Sequence, residues 1–196
     1  EVEQVDGETV AVGDPTEGAL VLAAERVGLW SPDLQERWPR LAEVPFDSDR
    51  KRMTTVHRLD GEAATGGVAE LGAVLEGAGV QGVLGCTKGA SSAILDVADR
   101  EWVGGELRPL DDRRRAEIAE ANDRLAGNGQ RVLAVAMKRL DESIASQQDV
   151  QAVAERDLVF LGLVGLMDRP RPEVRDAVPR CRAAGIRPVM ITGDHP

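Results

Sequence analysis

The chain has 196 residues, 42% of them hydrophobic and 30% charged, and a net charge of −10, which suits one globular domain with at most a small appendage. The acidic balance argues against nucleic acid, whose phosphates demand a basic surface, but leaves room for a small anion held by a local basic cluster. The longest apolar stretch, Leu158 to Met167, holds two glycines and falls short of the ~18–20 apolar residues of a membrane span. The opening Glu-Val-Glu-Gln does not read as a secretory leader, which needs a basic start and an apolar run. Cys86 and Cys181 lie far apart and suggest free thiols in a reducing compartment.

In chain order, Asp14-Pro15-Thr16-Glu17 starts a helix. Asp14 can cap it, Pro15 suits the first turn, and Glu17 falls at the capping-box position. Leu20, Val21, Ala24 and Val27 continue at helical spacing to Gly28. Residues 29–44, with prolines and tryptophans, read mostly as connection. Met53 to Leu59 is β-branched and strand-like, 60–82 is a Gly/Ala-rich loop or loose hairpin, and Val83 to Lys88 is a short strand. Ser91 or Ser92 caps a short helix through Ile94, Leu95 and Ala98, and Asp111 or Asp112 starts a second that ends at Gly127. Arg131 to Met137 and Leu158 to Leu166 read as strands, joined by an acidic, Gln-rich helix or loop. Past Asp168 a helix runs to Ala184, with a strand over Arg187 to Thr192. That last strand-helix-strand piece follows the grammar of a parallel α/β sheet and is too short to build one alone.

Generic motifs name no function. Gly77-Ala78-Gly79-Val80-Gln81-Gly82 matches the dinucleotide pattern but is followed by no amphipathic helix. The dipeptide Gly-Lys of a phosphate-binding loop does not occur, and two histidines, His57 and His195, offer little for a metal or triad site.

Five segments, in order, resemble P-type cation-transporting ATPases: Gly13-Asp14-Pro15-Thr16-Glu17-Gly18-Ala19-Leu20, Pro45-Phe46-Asp47-Ser48-Asp49-Arg50-Lys51-Arg52-Met53, Lys88-Gly89-Ala90, Gly129-Gln130-Arg131-Val132-Leu133-Ala134-Val135-Ala136, and Asp168-Arg169-Pro170-Arg171 with Met190-Ile191-Thr192-Gly193-Asp194. The resemblance is to the nucleotide-binding (N) domain of the calcium, sodium/potassium and magnesium branch, with a lean towards a bacterial calcium-type pump. It implies an α/β (α+β) fold: a mainly antiparallel sheet flanked by helices over residues 1–167. Residues 168–196 would be a strand-helix-strand fragment of the HAD-like phosphorylation domain.

The resemblance also implies a site. Phe46, between a proline and a charged run, would stack on adenine, the alternative being a hydrophobic plug anchoring its turn. Glu17 would sit near the adenine edge, unless capping alone explains it, with Thr16 beside it. Lys88 would lie at the base of the cleft, where Gly89 lets backbone approach a ligand, against the alternative of a solvated lysine. Lys51 and Arg131 would reach polyphosphate and ribose, and Leu133 the base. Ser48 stands where some relatives carry an arginine aimed at the phosphates. Arg50 could compensate, or Arg50 and Arg52 could be solvated charges on an exposed turn.

Thr192, Gly193 and Asp194 match the phosphate-binding turn of the phosphorylation domain. The phosphorylated Asp-Lys-Thr-Gly-Thr motif and the magnesium-holding Gly-Asp-Gly-x-Asn-Asp motif do not occur in this sequence. The expectation is therefore that the chain grips ATP without hydrolysing it. In a parent pump it would use ATP with Mg²⁺ beside the phosphorylation, actuator and membrane domains, at the cytoplasmic face of the membrane. The rival readings are a non-nucleotide-binding interaction module with the same fold, and a phosphatase-like hydrolase built on Thr192-Gly193-Asp194.

Overall fold

The computed structural model describes residues 2–5, 8–11, 13–29, 34–36, 38–59, 82–146, 150–167 and 172–189. The chain divides into two units, Glu1–Leu166 and Met167–Pro196.

In the first unit, strands β1 (Val2–Val5) and β2 (Glu8–Ala11) form a hairpin, followed by helix α1 (Pro15–Arg26). A seven-stranded sheet then runs in the order β3-β4-β5-β8-β9-β6-β7. Its strands are β3 (Arg40–Asp47), β4 (Arg52–Leu59), β5 (Gly82–Gly89), β6 (Ala98–Val103), β7 (Glu106–Pro109), β8 (Arg131–Leu140) and β9 (Leu158–Leu166). All neighbours are antiparallel except the parallel β6–β9 pair. Among the described residues, helices α2 (Ser91–Leu95), α3 (Asp112–Gly127) and α4 (Val150–Ala154), a 3-10 turn at Glu142–Ser146 and helical residues 34–36 also belong to the unit. This is the mainly antiparallel α/β arrangement that the sequence implies.

Successive strand residues point to opposite faces, and here the faces differ in kind. On one, Ala134, Ala136, Leu158 and Phe160 pack with Ile94 and Leu95 of α2 and Ile118 of α3. On the same side Val56, Val83 and Leu140 pack with Ile144 and Ala154. The other face has a smaller cluster, Leu84, Met137 and Val159, edged by Trp38, Leu59, Trp102 and Leu107. Beyond that cluster the second face stays partly open.

Three local expectations are corrected. Residues 40–44 are strand, not connection. β3 lies at the sheet edge, where proline is tolerated, and Pro45 falls in the register shift between Val44 and Asp47. The helix expected to reach Ala98 ends at Leu95, and a β6–β7 hairpin follows. Its turn is Gly104-Gly105 at φ 61° and 84°, the two left-handed positions that a tight hairpin turn requires. Neither Ser91 nor Ser92 caps α2: the N-cap is Ala90, without a side-chain bond, and Ser91 is buried. Asp111 does cap α3, accepting from Arg114 N at 2.8 Å.

In the second unit, α5 spans Pro172–Ala183. Residues 187–189 carry no strand, and the rest of the strand expected over 187–192 lies outside the described residues. So do Asp168 to Arg171, the 60–81 loop with its glycine pattern, and Thr192, Gly193 and Asp194.

Gly89 is where β4 and β5 meet most closely. A Cβ there would lie 2.6 Å from Arg52 Cβ and closer still to Lys51 O, atoms fixed by the sheet. Gly89→Ala should therefore destabilise the domain by about 1–3 kcal/mol, read as a lower urea midpoint at unchanged slope. Gly162→Ala, which meets nothing within 4 Å, is the control.

Candidate nucleotide-binding site

The register assembles one end of the open face. Lys88 on β5 lies opposite Met53 on β4 and Val135 on β8. Because the pleat alternates, Arg131 and Leu133 share that face with Val135. Arg131 is exposed, and Leu133 and Lys88 are half-buried. Met53 and Val135 therefore also line this ground, and the register alone shows it.

The N-terminus of α1 is fastened over this face by two polar links. Glu17 Oε2 pairs with Lys88 Nζ, and Arg131 Nη1 donates to Thr16 Oγ1 at 3.1 Å. Asp14 sets the start of the helix, its Oδ1 accepting from Thr16 N at 2.8 Å and Glu17 N at 3.2 Å. The bond from Glu17 N, followed by those from Thr16, holds the Asp14 carboxyl below the usual aspartate range. Glu17 thus lies in the helix's first turn while its carboxylate reaches the sheet.

The turn between β3 and β4 carries the remaining residues. Asp47 Oδ1 accepts from Asp49 N at 3.0 Å and Arg50 N at 2.9 Å, and Asp47 O accepts from Lys51 N at 2.7 Å. The bond from Arg50 N is the chief reason the Asp47 carboxyl also titrates below its usual range. Lys51 is exposed and held at φ 52°, and its carbonyl accepts from Ala90 N at 2.9 Å. That bond, and the Arg52–Gly89 pairing, dock the turn against the Lys88-Gly89-Ala90 segment. Phe46, on β3 just before the turn, is 63% exposed, which removes the buried-plug role considered for it.

Arg50 and Arg52 are neither solvated nor directed at a ligand. Arg50 Nη1 donates to Glu155 Oε1 at 2.6 Å and Oε2 at 2.5 Å, and Arg52 Nε donates to Oε2 at 3.0 Å. Glu155 is only 2% exposed. Arg50 is thereby occupied, so the expectation that it replaces the arginine absent at Ser48 is not met. Sequence reasoning missed Glu155, since an acid within Ala-Glu-Arg-Asp looks like any surface charge.

The structure thus links Thr16, Glu17, Lys88 and Arg131, sets Leu133 and Gly89 beside them, and docks the Lys51 turn by backbone bonds. A separate cleft of about 520 Å³ lies between α3 and β6–β9, lined by residues such as Glu101, Arg114 and Phe160. It contains no residue singled out from the sequence. The sheet face beneath α1 carries basic and apolar groups, whereas Glu101 in the cleft is buried against Arg114 at 2.8 Å.

Comparison with known proteins identifies the family. The family model described as P-type ATPase, cytoplasmic domain N, matches residues 1–173, and the chain belongs to that family. It is similar to a calcium-transporting ATPase of Bacillus subtilis (strain 168), at 36% identity over 195 residues, covering 99% of this chain and 19% of that protein. Calcium-transporting ATPase 1 of Bacillus cereus (strain ATCC 10987 / NRS 248) is 36% identical over 183 residues, 93% of this chain and 18% of that protein. A sodium/potassium-transporting ATPase subunit alpha-1 of Oreochromis mossambicus is 32% identical over 189 residues, 94% of this chain and 17% of that protein. The chain thus spans less than a fifth of the length of these curated relatives.

Lowered carboxyls at Asp14 and Asp47 have a signed consequence. Their stabilisation is complete above the ordinary aspartate pKa of ~3.9 and is lost as pH falls through the lower folded values. The protection factors of the Thr16, Glu17 and Arg50 amides, corrected for the intrinsic pH dependence of exchange, should fall on acidification through that window. Asp14→Asn, still able to cap but unable to titrate, should remove the pH dependence at Thr16 and Glu17 while leaving that at Arg50.

Proposed function

We propose that this chain binds ATP as the nucleotide-binding domain of a P-type cation-transporting ATPase of the calcium-pump type. The observation that carries the reading is the cluster on the open sheet face: Lys88 paired with Glu17, Arg131 bonded to Thr16, and Leu133 on the same side. The exposed ring of Phe46 offers a stacking surface to a purine, an interaction of ~1–3 kcal/mol. Lys88 and Glu17 face the base edge, and Lys51 and Arg131 supply charge for ribose and phosphates.

Both links are cheap to exchange. An ion pair as exposed as Lys88–Glu17, whose side chains are 23% and 52% exposed, is worth about 0–1 kcal/mol. A nucleotide can therefore take over the ammonium without dismantling the fold.

The further assignments belong to the same proposal. Residues 1–167 form the ATP-binding domain, and residues 168–196 belong to the phosphorylation domain, with Thr192, Gly193 and Asp194 in its phosphate turn. In the complete pump, ATP with Mg²⁺ would deliver its γ-phosphate to an aspartate outside this chain, by domain closure at the cytoplasmic face of the membrane. The isolated chain holds nucleotide and does not hydrolyse it.

Calorimetric or NMR titration with ATP tests the assignment. Saturable binding should weaken about tenfold or more in Phe46→Ala and in Lys88→Ala, a factor of ten being ~1.4 kcal/mol. A folded wild type that does not bind, or variants that bind as well as it does, would overturn the site and leave an interaction module of the same fold.

A further inference from the structure

The Phe46–Lys51 turn is held by a residue about a hundred positions away that touches no proposed ligand contact. Glu155, which follows α4 and precedes β9, buries its carboxylate under the turn. Three donors meet it there: Arg50 through Nη1, Arg52 through Nε at 3.0 Å, and Thr54 through Oγ1 at 3.2 Å. Each bond leads towards the site. Arg50 Nη2 also donates to Pro45 O at 2.8 Å, the carbonyl of the peptide that joins Pro45 to Phe46. Thr54 Oγ1 lies 2.9 Å from Thr87 Oγ1, and Thr87 precedes Lys88 on β5. One carboxylate thus braces both the strand end that presents Phe46 and the strand end that presents Lys88.

We infer that Glu155 is a positioning residue for nucleotide binding, holding Phe46 and the Lys51 turn in the conformer that receives the base. This rests on the ATP-binding reading of the site. Two guanidinium groups converge on one buried carboxylate: Arg50 Nη1 bridges both of its oxygens and Arg52 Nε adds a bond to Oε2, charge-assisted contacts stronger than neutral ones. Glu155→Gln keeps the shape but removes the charge. The amide offers a single acceptor oxygen in place of two, and its NH₂ faces guanidinium groups that can only donate. Arg50 Nη1 then loses one of its two acceptors and the charge attraction, which weakens the hold that also carries Nη2 to Pro45 O. Apparent affinity scales with the fraction of molecules in the competent conformer. A turn that is competent only about a tenth of the time binds about tenfold more weakly.

The test is a double-mutant cycle read by ATP titration, with the melting temperature of each protein recorded. Wild type, Glu155→Gln, Phe46→Ala and the double variant are compared at a temperature where all are folded. The expected result is a dissociation constant about tenfold higher for Glu155→Gln, and little further loss when that change is added to Phe46→Ala. The core variant Ile118→Val, on the α3 side, should lower the melting temperature and leave affinity unchanged, separating positioning from general stability. If Glu155→Gln does not fold, Arg50→Gln enters the same cycle, since Arg52 still neutralises Glu155. Unchanged affinity in the single variant, or full additivity with Phe46→Ala, would overturn the positioning role while leaving ATP binding in place. Failure of the wild type to bind ATP would remove both.

Discussion

A carboxylate shut away from water must find cations and donors or lose its charge, and Glu155 finds both. Breaking such a pair from one side typically costs about 3–5 kcal/mol, because an uncompensated charge stays buried. That penalty makes the neighbourhood of Glu155 rigid. It ties the end of α4, the β3–β4 turn and the hydroxyls of Thr54 and Thr87 into one hydrogen-bonded unit. The turn needs such a tie, since Lys51 sits at φ 52°, a conformation that non-glycine residues adopt at a cost. Backbone bonds from Lys51 N to Asp47 O and from Ala90 N to Lys51 O hold that conformation from both sides.

The sheet explains why the site lies where it does. The helix-covered face buries Val56, Val83, Ala134, Ala136, Leu158 and Phe160 in two apolar clusters, with Thr54, Thr87 and Glu155 buried on the same side. On the opposite face the Leu84–Met137–Val159 cluster covers only part of the surface. Across the rest the strands present Lys88, Arg131, Met53 and Cys86, half-buried or exposed. α1 buries only Gly18, so its purchase on that face rests largely on polar links. The pump family to which the chain belongs thus appears here as a sheet with one face given to the core and part of the other left free.

Much of this was legible in the sequence where local chemistry is unambiguous. Asp14-Pro15 specifies a helix start, Leu158 to Leu166 is a strand with the bounds expected, and Asp111 opens α3. The ordered motifs identified the family before any coordinate. The hidden features depend on partners distant in the chain. Pro45 argues against a strand until β3 is known to lie at an edge. Gly104-Gly105 carried a hairpin signal that was obscured by extending the preceding helix pattern through Ala98. The roles of Arg50 and Arg52 could not be read locally, because strands β5 to β8 and helices α2 to α4 separate them in the chain from their partner Glu155. Burial, not sequence position, turns those arginines from surface charges into braces.

The two kinds of ion pair in this domain answer to different physical rules, and the difference separates scaffold from site. Glu155 with Arg50 and Arg52 is dry, multiply hydrogen-bonded and costly to break, so it is fixed whatever occupies the open face. Lys88 with Glu17 is partly wet and nearly neutral in energy, so its charges remain available to whatever competes for them. Ser48 sharpens the contrast. No arginine stands there, and Arg50 is committed to the buried carboxylate, whereas Lys51 is exposed and Lys88 and Arg131 are held by single links to Glu17 and Thr16. The costly pair thus lies beneath the β3–β4 turn, and the exchangeable one lies on the open face of the sheet.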